Sequence, residues 1–128
     1  MREPDPDVLL FFDGRPEALE LYLGLEDLLY GNFPEVRRKV CRTQVSFSNR
    51  HVFACASFAR VKRKSELPGE YLTVTLGLPR PLLSDRAAQV SEPYPGRWTC
   101  HVVVTRPDEL DGELLDWLRE AYDFALSK

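Results

Sequence analysis

Gln44-Val45-Ser46-Phe47-Ser48-Asn49-Arg50 runs into His51-Val52-Phe53-Ala54-Cys55-Ala56, and the reading of this stretch decides the fold. Polar and apolar side chains alternate through Gln44–Ser48, the period of a strand with one buried face. Asn49-Arg50 breaks the alternation, and because asparagine tolerates a positive φ the pair predicts a tight hairpin turn. From Val52 to Val61 the chain returns, rich in small and β-branched residues, as the second arm.

Working outward, Leu72, Val74, Leu76 and Leu78 alternate with Tyr71, Thr73, Thr75 and Gly77, and Arg97–Val104 sets Trp98, Cys100, Val102 and Val104 on one side. Val36–Arg42 reads as a further strand. Helical periodicity appears only near the ends of the chain. Ala18, Leu21, Tyr22, Leu25 and Leu29 form one stripe of a helix over about Pro16–Gly31, opposite Glu17, Glu20, Gly24 and Asp27. Pro16 suits its first turn, Gly31-Asn32 and Pro34 end it, and Phe11 and Phe12 stand ready to staple it to the core. Leu110, Leu114, Trp117, Leu118, Ala121, Tyr122 and Ala125 mark a second helix over about Pro107–Ser127, with Thr105 as its cap.

Helix, about five strands, helix, with hairpins and no helix between strands, defines an α+β domain: an antiparallel, meander-like sheet with the N- and C-terminal helices packed on one face. Residues 1–128 form one such domain. The expected core from the strands is Val45, Phe47, Leu72, Val74, Leu76, Leu78, Trp98, Val102 and Val104. The opposite face, open to solvent, then carries Gln44, Ser46, Thr73, Thr75, Arg97, Thr99 and His101. Two connections stand out: Lys62–Gly69, a polar hairpin loop, and Pro79–Gly96, a long proline-rich stretch with room for one helical turn around Ser84–Val90.

Charge is sharply segregated. Nine Arg and Lys residues and no acid lie between Val36 and Ser65, whereas residues 1–35 hold nine acids against two bases and residues 107–128 seven against two. The net charge of −3 conceals this. A molecule so divided has a basic side and an acidic side, and the basic one suits phosphate or carboxylate groups. The candidate contact residues are Arg38, Arg42, Arg50, His51, Arg60, Lys62, Arg97 and His101, with Thr73, Thr75 and Thr99 adding hydrogen bonds. The competing reading pairs the basic hairpin with the protein's own acidic helices or with those of a second copy.

Other chemistries find little footing. Apolar content of 44% and charged content of 29% are ordinary for a soluble protein, and the longest apolar run, Val8–Phe12, is too short to span a membrane. Cys41, Cys55 and Cys100, spaced 14 and 45 residues apart, have neither metal-site nor disulfide-framework spacing and read as reduced thiols in a cytoplasm. Cys100 and His101 are neighbours on a strand and point to opposite faces, so they do not form a thiol–imidazole pair. No phosphate-binding glycine loop, dinucleotide fingerprint, two-histidine zinc helix or nucleophile elbow occurs, so neither a cofactor, a metal nor a catalytic residue is assigned.

Thr43-Gln44-Val45-Ser46-Phe47, Arg50-His51-Val52-Phe53-Ala54 and Tyr71-Leu72-Thr73-Val74-Thr75-Leu76-Gly77-Leu78 together resemble a family of small bacterial proteins, the domain-of-unknown-function family 5655. Pro95-Gly96-Arg97-Trp98-Thr99, the His101 strand and the closing helix from Leu110-Asp111 to Ala121-Tyr122 extend the resemblance over nearly the whole chain. The family has no established catalytic residues, so the resemblance transfers none. Its members stand alone or appended to other domains, which implies a binding or accessory role. The order of elements is also similar to the frataxin type, which implies an acidic ridge handling metal through Glu17, Glu20, Glu26 and Asp27.

The expectation is thus a cytoplasmic, non-membrane binding module for an anionic macromolecule, nucleic acid or protein. One alternative is a small-ligand protein or enzyme with a pocket under the 79–96 loop, lined by Tyr94, Trp98 and His101. The other is a homodimer formed through the open sheet face.

Overall fold

The computed structural model of the chain describes residues 5–60 and 70–127. Among these residues three α-helices, α1 (Pro6–Phe11), α2 (Pro16–Asn32) and α3 (Gly112–Ser127), accompany six strands. These are β1 (Arg37–Val40), β2 (Gln44–Ser48), β3 (Val52–Ser57), β4 (Leu72–Leu78), β5 (Ala87–Tyr94) and β6 (Arg97–Val104). They form one antiparallel sheet in the order β1-β2-β3-β4-β6-β5. The α+β class and the helices near both ends follow the sequence reading. The expected Lys62–Gly69 loop lies outside the described residues, as does Val61.

The helical stripe is buried as its spacing demands: Ala18, Leu21, Tyr22, Leu25 and Leu29 are all inside. On the sheet's inner face Val45, Phe47, Leu72, Val74, Leu76, Leu78, Val102 and Val104 are fully buried, and Trp98 is half-buried at the margin. Burying each large side chain is worth roughly 1.5–3 kcal/mol, which holds the register against a one-residue slip. Tyr22 stacks on Phe47, tying α2 to β2 with ring centroids 6.1 Å apart. Phe33, just after α2, stacks on Tyr122 of α3 at 4.7 Å and so joins the two helices. Gly24 permits the close passage of the chain before α3, since a Cβ there would meet the Leu110 side chain at 2.7 Å.

Four details depart from the sequence reading. First, α1 has no counterpart in it; Asp5 caps this helix by accepting from the Asp7 amide (2.8 Å), and Pro6 starts it. Second, the β2–β3 turn needs no positive φ at Asn49 or Arg50. The Asn49 side chain closes it instead, accepting from the His51 amide (3.2 Å) and donating to the Tyr122 carbonyl (2.9 Å). Third, α3 starts at Gly112. A 3₁₀ turn at Pro107–Glu109 precedes it, Glu109 accepts from the Thr105 amide and hydroxyl, and Asp111 caps the helix by accepting from the Leu114 amide. Thr105 is therefore a donor to a carboxylate rather than the helix cap.

The fourth departure bears on function. Much of Pro79–Gly96 is not a loop with a helical turn: Ala87–Tyr94 is an edge strand hairpinned to β6, so the sheet is not a simple meander. What remains, residues 79–86, crosses on the helix side. Leu82 is buried, Arg80 grips Glu120 with two bonds of 2.8 Å, and Arg86 reaches Asp111, Glu113 and the Glu109 carbonyl.

Candidate binding face

The register lays the outer face of the sheet out in rows. Lys39, Ser46, Cys55, Thr75, His101 and Gln89 form one continuous row across all six strands. Gln44, Ser57, Thr73 and Val103 form a second, and Gly77, Thr99 and Ser91 a third. Every position is small or polar except Val103. The six strands together hold one acid, Glu92, and its carboxylate accepts from the Gly96 amide in the β5–β6 turn (3.0 Å).

The expected contact residues fall into three groups. Arg42, Arg50, His51, Arg60 and Arg97 are exposed, Arg42 and Arg60 toward one end of the strands and Arg50, His51 and Arg97 toward the other. Thr75, Thr99 and His101 lie half-buried in the centre of the face, with Thr75 Oγ1 2.9 Å from His101 Nδ1. The third group is turned inward. Thr73 is fully buried, its hydroxyl donating to the Ala59 carbonyl (2.8 Å) where the chain leaves β3 across this face. Arg38 points to the helix side, donating to Glu26 (2.8 Å) and Asp5 (3.1 Å). Lys62 lies outside the described residues.

Arg38 belongs to a structural network. Glu26 is 2% exposed and also accepts from the Tyr22 hydroxyl at 2.6 Å. Burial and the neighbouring carboxylate both push the Tyr22 phenol far above its ordinary range. Burial alone would weaken the Arg38 charge, but the bond to Glu26 outweighs it and the guanidinium is held more firmly protonated. Glu26 therefore does not join an acidic ridge, and among the described residues no group of three His, Cys, Asp or Glu side chains is placed to hold a metal ion.

Sequence reasoning passed over Arg37 and Lys39 as contact residues. Both are exposed and both project onto the outer face, opposite Ser48 and Ser46. The signal was available: alternation within Arg37–Val40 sends Arg38 and Val40 one way and Arg37 and Lys39 the other.

The centre of the face suits contact better than chemistry. A shallow depression of about 160 Å³ opens above Gly77, between Val52, Cys55, Thr75 and Thr99. Burial lowers the His101 pKa, leaving a neutral imidazole. Burial also raises the Cys55 thiol, whose contact is the Ser46 hydroxyl at 3.9 Å. Cys100 is buried on the inner face and likewise raised, and all three cysteines are free. Tyr94, Trp98 and His101 do not line one pocket beneath residues 79–96: residues 87–94 of that stretch are strand β5, and Trp98 and His101 lie on opposite faces of β6.

A six-stranded antiparallel sheet, with helices on one face and the other left polar and cationic, defines a small α+β module with an open sheet. The chain belongs to the domain-of-unknown-function family DUF5655, whose family model matches residues 10–125. No curated protein and no solved structure matches it. Among the described residues no helix is long and apolar enough to cross a membrane.

Proposed function

We propose that this chain is a non-catalytic binding module whose outer sheet face and its cationic margin take an anionic partner. One observation carries the reading: the arginines of the helix side are held by acids or aromatic rings, and the cations of the outer face and its margin are not. On the helix side each described arginine is engaged. Arg80 and Arg86 meet acids, Arg106 meets Asp108, Arg15 lies over Phe58, and Arg119 lies over Phe33. By contrast, Arg37, Lys39, Arg42, Arg50, Arg60 and Arg97 form no ion pair among the described residues. Like charges gathered on one side without acids between them repel one another, and an anionic partner relieves that cost. The unpaired state of the cysteines supports a reducing, cytoplasmic setting for it.

Fluorescence anisotropy tests this with labelled single- and double-stranded DNA, RNA and polyglutamate, at low and physiological salt. Binding should weaken as salt rises and be lost when Arg37, Lys39, Arg42 and Arg60 are all changed to Glu, with circular dichroism unchanged. If no polyanion binds at low salt, or a folded reversal variant binds like the parent, the proposal is wrong.

A further inference from the structure

β1 is an edge strand, and its outer side is unoccupied among the described residues. The Cys41 amide donates to the Gln44 carbonyl, which makes 41/44 a hydrogen-bonded pair. In an antiparallel ladder such pairs alternate, so Lys39/Ser46 and Arg37/Ser48 follow. The amides and carbonyls of Arg38 and Val40 therefore point away from the sheet. Directly beside them a groove of about 490 Å³ runs between α1 and the end of β1. Leu10, Phe11 and Val40 line it together with Asp7, Cys41 and Arg42, and Leu10 is 75% exposed.

We infer that β1 accepts an extended acidic peptide of a partner protein, added antiparallel as a seventh strand. This rests on the anion-binding reading above and names its partner. Side chains of an added strand alternate. Those on the outer face fall beside Arg37 and Lys39 and should be acidic, and those on the inner face fall beside the Leu10–Phe11–Val40 groove and should be apolar. Arg38, whose side chain meets Glu26 and Asp5, contributes its backbone.

The same residues argue against other occupants. A second copy pairing β1 with β1 would set Arg37 and Lys39 against their own kind, and like charges directly opposite destabilise a strand pair. Single-stranded nucleic acid is gripped by stacking on exposed aromatics. Beside β1 the outer face offers none: Tyr94, its exposed aromatic, pairs with Arg97 at the opposite edge of the sheet.

The test uses a fluorescein-labelled eight-residue peptide alternating glutamate and valine, with the full chain, at low and physiological salt. Two N-methylated versions separate backbone pairing from charge. In the antiparallel register the valine amides bond Arg38 and Val40, so methylating the valines should weaken binding at least about tenfold, and methylating the glutamates should not. Leu10→Asp, at an exposed position, should weaken it to a similar degree, and Arg37→Glu with Lys39→Glu should abolish it. Equal affinity of all three peptides, or loss only on glutamate methylation, overturns strand addition. If charge reversal still abolishes binding in that case, the anion-binding face stands without it. Absence of any peptide binding overturns the inference, and polyglutamate and RNA in the same assay then decide whether the broader reading falls too.

Discussion

Replacing Arg38 with Ala separates a structural arginine from a binding one. Arg38 is 17% exposed in its side chain and meets two carboxylates, Glu26 at 3% and Asp5 at 38%. The Asp5 pair is screened by solvent and contributes at most about 1 kcal/mol. The Glu26 pair is buried, and a hydrogen bond to a charged group there is worth about 1.5–3 kcal/mol, with a further cost for taking the cation away from a buried carboxylate. The sum is about 3 kcal/mol. For a chain of 128 residues, with an unfolding entropy of about 2.1 cal/mol/K per residue, that lowers Tm by roughly 11 °C. Arg38→Met combined with Glu26→Gln removes both charges while the new side-chain amide still accepts from the Tyr22 hydroxyl, and should recover more than half of the loss. Thermal and urea unfolding followed by circular dichroism, with polyanion affinity measured on the folded variants, provides the readout. A Tm change under about 2 °C accompanied by loss of binding would refute the structural assignment. So would a double variant as unstable as the sum of the singles.

Two further outcomes follow from the face itself. A Cβ at Gly77 meets nothing within 4 Å, so Gly77→Thr should raise stability by about 0.5–1 kcal/mol in urea titration, and a loss of that size would show that the depression above it is not open. Burial lowers the His101 pKa below its ordinary value of 6.5, so the native state binds fewer protons than the unfolded chain as pH falls through that value. Stability is whole above it and declines on acidification, well above the range where Glu109 and Asp111, both lowered from 4.5 and 3.8, lose theirs. His101→Gln should flatten the stability profile between about pH 7 and 5, and an unchanged slope there would refute the assignment.

Much of the site was legible because a strand's sidedness is written in alternate residues. Thr75, Thr99 and His101 fell on the outer face as their spacing required, and the same rule applied to β1 separates Arg37 and Lys39 from Arg38. Exposure was harder to read. Thr73 obeys the alternation and is nevertheless fully buried, because the chain at Ala59 folds over it. β5 was hidden because its pattern is weak: at an exposed edge with two register irregularities only Ala87 and Val90 pack against the core, so no apolar period develops.

What the sequence determined by itself is local. The stripe of α2, the alternation of β2, β4 and β6, and the segregation of charge each state which side of an element avoids water, and the hydrophobic effect enforces that wherever the element is placed. The tertiary structure alone decided the pairings between distant groups. Glu70 satisfies the Glu17 and Ala18 amides of α2 from 53 and 52 residues away, Arg80 meets Glu120 across 40, and Arg38 meets Glu26 across 12. The physical reason is that periodicity records only how a residue sits relative to its own axis. A hydrogen bond or ion pair needs a partner within about 3 Å, and only the order of strands in the sheet brings one there.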